Sequence, residues 1–122
     1  MGTEPAPLTL ADAMHQAVRA VDPTGEDAGM GDLLARFEDA DEPIGTAEDA
    51  EQRIAEEVGA LDPQGEDPAI QMAAAVATYL AYRRDESGHE PGTLLRLAAR
   101  AEYDGDPPDN IREWLVDSGI DI

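Results

Sequence analysis

Carboxylates are the only abundant chemistry-bearing side chains in this chain. Of its 122 residues 28 are Asp or Glu, Cys is absent, and histidine occurs only at His15 and His89. Without Cys there is no disulfide, thiolate nucleophile or thiolate metal site. No H-x-x-x-H or H-E-x-x-H spacing exists, so zinc ligation or imidazole base catalysis finds no second partner. His15 is expected at the edge of the first helix's apolar face and His89 in the loop SGHEPG, both as surface or boundary residues. The acids do recur in a pattern. VDPTGED (21–27) and LDPQGED (61–67) offer Asp22, Glu26 and Asp27, then Asp62, Glu66 and Asp67, as oxygens for a hard cation. A calcium loop needs acids at alternating positions and a bidentate acid at the twelfth, and here Pro takes the second place. A structural turn accounts for every residue. Asp, Pro and Gly suit positions i, i+1 and i+3 of a type I turn, the Pro ends the preceding helix, and the acidic pair meets the next helix's positive end.

A second carboxylate pair lies in RIAEEVGAL (53–61). This stretch resembles the glutamate helix of MazG-like nucleotide pyrophosphatases, all-α enzymes whose carboxylates hold magnesium against a nucleotide triphosphate. Glu56 and Glu57 match the leading pair of that family's E-E-x-x-E motif. The third place is Ala60, and IQMAAAVATYLAY has no acid where an E-x-x-D would stand. The resemblance covers nine residues and implies, as an alternative, a degenerate relative of such an enzyme. The other reading is an exposed acidic helix face, since a magnesium site needs more carboxylates than remain.

The formal charge is −20, and all eight basic residues are Arg; Lys is absent. An acidic mimic of nucleic acid is one explanation, but that role gives no reason to avoid Lys. Adaptation to a cytoplasm of molar salt explains both features. There the Debye length falls to about 3 Å, so hydrated carboxylates can coat a surface without strong repulsion. Acid excess, missing Lys, abundant Ala and few bulky apolar residues look like the proteome of a halophilic archaeon. No membrane span or signal peptide is visible, and a soluble cytoplasmic protein is expected. Residues 83–122 are the least acidic part, with 10 acids and five Arg against 18 acids and three Arg before them. Arg83, Arg84, Arg96, Arg100 and Tyr103 therefore form the expected interaction face for an anionic or protein partner, with self-association also open. Trp114, the sole Trp, belongs to an apolar stripe and is expected in the core.

These residues must be carried by helices. The chain holds 21 Ala and five aromatics, a composition suited to closely packed helices. Leu10, Met14, Val18 and Val21 form a helical stripe, and Ala50, Ile54, Val58 and Leu61 repeat it 40 residues later. Residues 18–27 and 58–67 share seven identities in ten, and Gly105 continues the spacing of Gly25 and Gly65. Helices are expected at 9–21, 29–40, 47–61, 68–86, 93–103 and 108–118, with an N-terminal tail at 1–8. Thr9, Thr46, Asp67 and Thr93 are expected N-caps, Asp106-Pro107 is a further one, and Gly88 and Gly119 are expected closers. The result is one all-α domain over 9–122, with repeat units near 9–45, 46–88 and 89–122. Three helix-turn-helix hairpins then form either a compact bundle or a short superhelix around the Ala-rich fourth helix. The expected role is non-catalytic, an interaction or adaptor module with no cofactor, no metal and no direct contact to nucleic acid.

Overall fold

Four helices of the computed structural model begin at a side chain that satisfies their free amides. The structure describes residues 9–40, 44–83 and 90–120. Its six helices are α1 (Leu10–Val21), α2 (Ala28–Ala35), α3 (Ala47–Leu61), α4 (Pro68–Tyr82), α5 (Pro91–Tyr103) and α6 (Asp109–Asp117). Thr9 Oγ1 accepts the Asp12 amide at 3.0 Å while Asp12 returns a bond to the Thr9 amide, a closed capping box. Thr46 Oγ1 accepts the Asp49 amide at 3.1 Å. Asp67 caps α4 through the Ala69 and Ile70 amides, with Pro68 at the first helical position. At the other end of the chain Gly119 takes φ +79°, and the Ile120 amide reaches back to the Leu115 carbonyl at 2.8 Å. That bond and the one from Gly119 to Val116 make a Schellman cap, with Ile120 in the core beside Leu115.

Four boundaries differ from expectation, each for a backbone reason. α2 stops at Ala35, short of the expected residue 40, and gives way to tighter turns in which the Phe37 amide meets the Leu34 carbonyl and the Ala40 amide the Phe37 carbonyl. Thr93 does not cap α5; the helix starts at Pro91, whose fixed φ is pre-organised for the first helical position, behind Glu90. Asp106 does not cap α6. Pro108 keeps Pro107 out of the α region, so the helix begins at Asp109, and Asp106 instead binds Arg112 Nη2 at 2.8 Å. The fourth helix stops at Tyr82, where Arg83 leaves the helical region at φ −120°, short of the expected residue 86. Gly88 and His89 lie outside the described residues.

The two DPxGED corners share the same bonds from backbone amides. Asp22 and Asp62 end α1 and α3 with φ, ψ of −135°, 73° and −139°, 69°. Each accepts the amides of the acidic pair four and five residues on, and Gly25 and Gly65 take φ of +72° and +65°. Both glycines are exposed with open space around them, so the turn conformation alone selects them. The corner at Gly105 is different. There Asp104 itself enters the left-handed region at φ 53°, followed by Gly105 at +79°.

Asp62 also accepts Gln71 Nε2 at 3.0 Å; the equivalent position in α2 is Gly31, and Asp22 has instead the longer bond from Thr24 Oγ1 at 3.4 Å. Partial burial would raise the Asp62 carboxyl, but its bonds from the Asp67 amide, Gln71 and the Glu66 amide outweigh that and hold it below the usual value. The contribution is therefore present above the unfolded value, near about 3.9, and is lost as pH falls through the lower folded value. Asp62→Ala should cost about 0.5–1.5 kcal/mol more than Asp22→Ala at neutral pH. Urea unfolding of both variants at about pH 7 and about pH 3 checks this, with the gap closing in acid.

Packing resolves the choice between superhelix and bundle. In a superhelix each hairpin meets only its neighbours. Here α4 packs on all five other helices, and α1 packs on both α4 and α5, bridging the first and third units. The hairpins are also unequal. α3 lies along α4, whereas α5 and α6 each lie on α4 and do not run closely along one another. The shared corners thus do not extend to three equivalent units. Nine of the fifteen residues of α4 are buried, and its small side chains let neighbours approach closely. Around it the core is filled by Met14, Met30, Leu33, Phe37, Ile54 and Leu115, all nearly inaccessible. No polar or charged side chain is buried among the described residues.

Candidate functional site

α3 and α5 flank α4 without closing over it, and a concavity of about 440 Å³ remains between them. Its position follows from helical register. On α3, Ile54 and Val58 point into the core, so Glu51, Ala55, Gly59 and Asp62 fall on the adjoining shoulder that borders the gap. The floor is Gln71, Ala74, Ala75 and Thr78 of α4. The last residues of α5, Glu102 and Tyr103, reach in from the opposite side. Beyond Glu102 the depression continues as a recess of about 250 Å³ toward Tyr79, Tyr82 and Arg83 at the end of α4. Small side chains bring the backbone of α3 and α4 close to the surface here. At Gly59 a Cβ would meet nothing within 4 Å.

The polar groups in this concavity are unequally satisfied. Asp62 is occupied by its corner amides and Gln71. Glu51 Oε1 accepts the Tyr82 hydroxyl at 2.9 Å, and that bond is the first cause raising the phenol above its ordinary value. The Tyr103 phenol is pushed up to about 12 by burial and then by Glu102. Glu102 is exposed as a residue, yet enough protein surrounds its carboxyl to raise it by burial, and Glu51 raises it further. No ion-pair partner serves Glu51 or Glu102 among the described residues.

A raised carboxyl means that the fold disfavours the ionised form. The favourable balance is present below the unfolded value near about 4.3 and is lost as pH rises through the folded value. Glu102→Gln should therefore unfold at higher urea than the natural chain at about pH 7, and the gap should narrow near pH 4. Loss of stability in this variant at neutral pH would show that the carboxylate is held by favourable contacts instead.

The residues singled out from sequence are dispersed. Tyr103 is half-buried and lines the concavity, and Arg83 lines its far recess. Arg96 and Arg100 are exposed on the outer face of α5, opposite buried Leu94, Leu95, Ala98 and Ala99. Arg84 lies outside the described residues. Glu57 pairs with Arg36 at 3.6 Å, and Glu56 accepts Gln52 Nε2 at 3.4 Å, so the two acids turn to different neighbours. No group of three or more His, Asp or Glu gathers as a metal site among the described residues. His15 is exposed, and Trp114 packs half-buried against the core. Among the described residues no helix is long and apolar enough to cross a membrane.

Glu51, Glu102, Thr78 and Gln71 were not singled out from sequence. Glu102 did leave a signal. It stands seven, four and three residues after Leu95, Ala98 and Ala99, so an acid occupies the apolar stripe of α5. Glu51 stands three and seven residues before Ile54 and Val58 on α3. No protein-family model matches the chain, and no curated protein or solved structure shows significant similarity to it.

Proposed function

We propose that this chain is a small non-catalytic interaction module, adapted to a cytoplasm of high salt, that receives a partner protein in the concavity between α3 and α5. One observation carries the reading: a concave, small-residue surface over the central helix that no other element covers among the described residues. Tyr82 supports it as an aromatic 49% exposed at the rim, the type of residue that anchors protein interfaces. The acid excess without Lys supports the high-salt setting, because such a surface keeps its hydration where screening is strong.

Gly59→Leu tests this reading. The position is exposed and helical, so the substitution fills the concavity while improving helix propensity by up to about 1 kcal/mol. In co-purification from a halophilic host at molar KCl, the natural chain should retain a reproducible partner that the folded Gly59→Leu variant releases. Equal retention by both would place the binding surface elsewhere.

A further inference from the structure

Glu51 and Glu102 face the same concavity from different helices, and neither is ion-paired among the described residues, with Arg83 lining the far recess. Burial raises the Glu102 carboxyl, and the charge of Glu51 raises it further. Asp22, Asp27, Asp62 and Asp67 differ, because backbone amides take up their oxygens. The surrounding shape adds a second constraint. The depression follows α3 from Glu51 to Asp62, about 16 Å at the helical rise, which exceeds a single small cation and suits a stretch of polypeptide. On either side of Glu102 the lining is rich in Ala and tyrosine ring surface, suited to apolar side chains.

We propose that the partner presents a basic side chain, arginine or lysine, between Glu51 and Glu102, with its neighbouring apolar residues in the recesses on either side. Charge complementarity selects this occupant: a cation offsets the repulsion between the two carboxylates and supplies the donor that Glu102 lacks, beside a Glu51 that holds only the Tyr82 hydroxyl. An arginine fits best, since its guanidinium is weakly hydrated, can bind a carboxylate in two-point fashion and can stack on the Tyr82 ring. The inference rests on the interaction reading above and makes it specific.

The test uses a displayed library of linear peptides of about 15 residues, the helical span of the groove plus one turn, selected against the intact chain at molar KCl. Binding of enriched peptides is then measured by fluorescence anisotropy. Enriched peptides are expected to share an Arg or Lys. Changing that residue to Gln, or combining Glu51→Gln with Glu102→Gln in the protein, should weaken binding about tenfold. Gly59→Leu should abolish it. Peptides lost on Gly59→Leu but indifferent to the double Gln variant, or lacking a basic residue, would overturn the inference while leaving the concavity as the binding surface. Peptides that bind Gly59→Leu as tightly as the natural chain, or no enrichment at all, would overturn both.

Discussion

Raising KCl from about 0.1 M to about 3 M is expected to lift the thermal unfolding midpoint by more than about 10 °C. The physical basis is the mismatch of 28 acids with eight arginines. Among the described residues the ion pairs are Arg36–Glu57 at 3.6 Å and Arg112–Asp106 at 2.8 Å, both on the surface, where such pairs stabilise little. Most of the acids therefore repel one another. Two like charges about 10 Å apart in water repel by about 0.4 kcal/mol before screening, and each acid has several such neighbours. Summed over the surface this reaches several kcal/mol at low salt and nearly vanishes when the Debye length shrinks to about 3 Å. For a chain of this size each kcal/mol moves the midpoint by about 3–5 °C. Circular dichroism melts at the two salt concentrations provide the check; equal midpoints would remove the high-salt reading.

The second large effect belongs to α4. Leu80→Ala should cost about 2–5 kcal/mol, because Leu80 is wholly inaccessible in the helix that all others pack against. The reverse change is costly too. Ala77 is equally inaccessible, and Ala77→Leu would force side chains from a neighbouring helix aside at about 1–3 kcal/mol. With a total stability of about 5–15 kcal/mol, Leu80→Ala should be largely unfolded at low salt and refold when KCl is raised. Urea unfolding at both salt concentrations measures the two contributions separately. A loss below about 1 kcal/mol for Leu80→Ala would mean that α4 is not the centre of the core.

Local signals were read well from sequence, and tertiary ones were not. Thr9, Thr46, Asp67 and Gly119 end or begin helices as expected because caps depend on residues only a few places away. Thr93 and Asp106 failed where a proline a residue or two away competed for the same boundary. The 40-residue match of VDPTGED and LDPQGED had a real local meaning, the same corner with the same dihedral angles. It said little about assembly, since α1 and α3 then pack against α4 in different ways. The concavity is a product of that assembly. Glu51 and Glu102 lie 51 residues apart, and only the crossing of α3 and α5 over α4 brings them to one depression. An acid on an apolar stripe marked each of them singly, but their pairing is not a property of either helix. Arg96 and Arg100 show the converse: their i,i+4 spacing was plain in sequence, and the structure places them on the outer face of α5.

Those two surfaces give the most direct test of the account. Amide resonances of the labelled chain should be followed at molar KCl as a co-purified partner is added. Ala55, Gly59, Ala75, Thr78 and Glu102 should shift or broaden, while Arg96 and Arg100 stay unchanged. Perturbation confined to Arg96 and Arg100, with the concavity unaffected, would contradict the assignment of the binding surface.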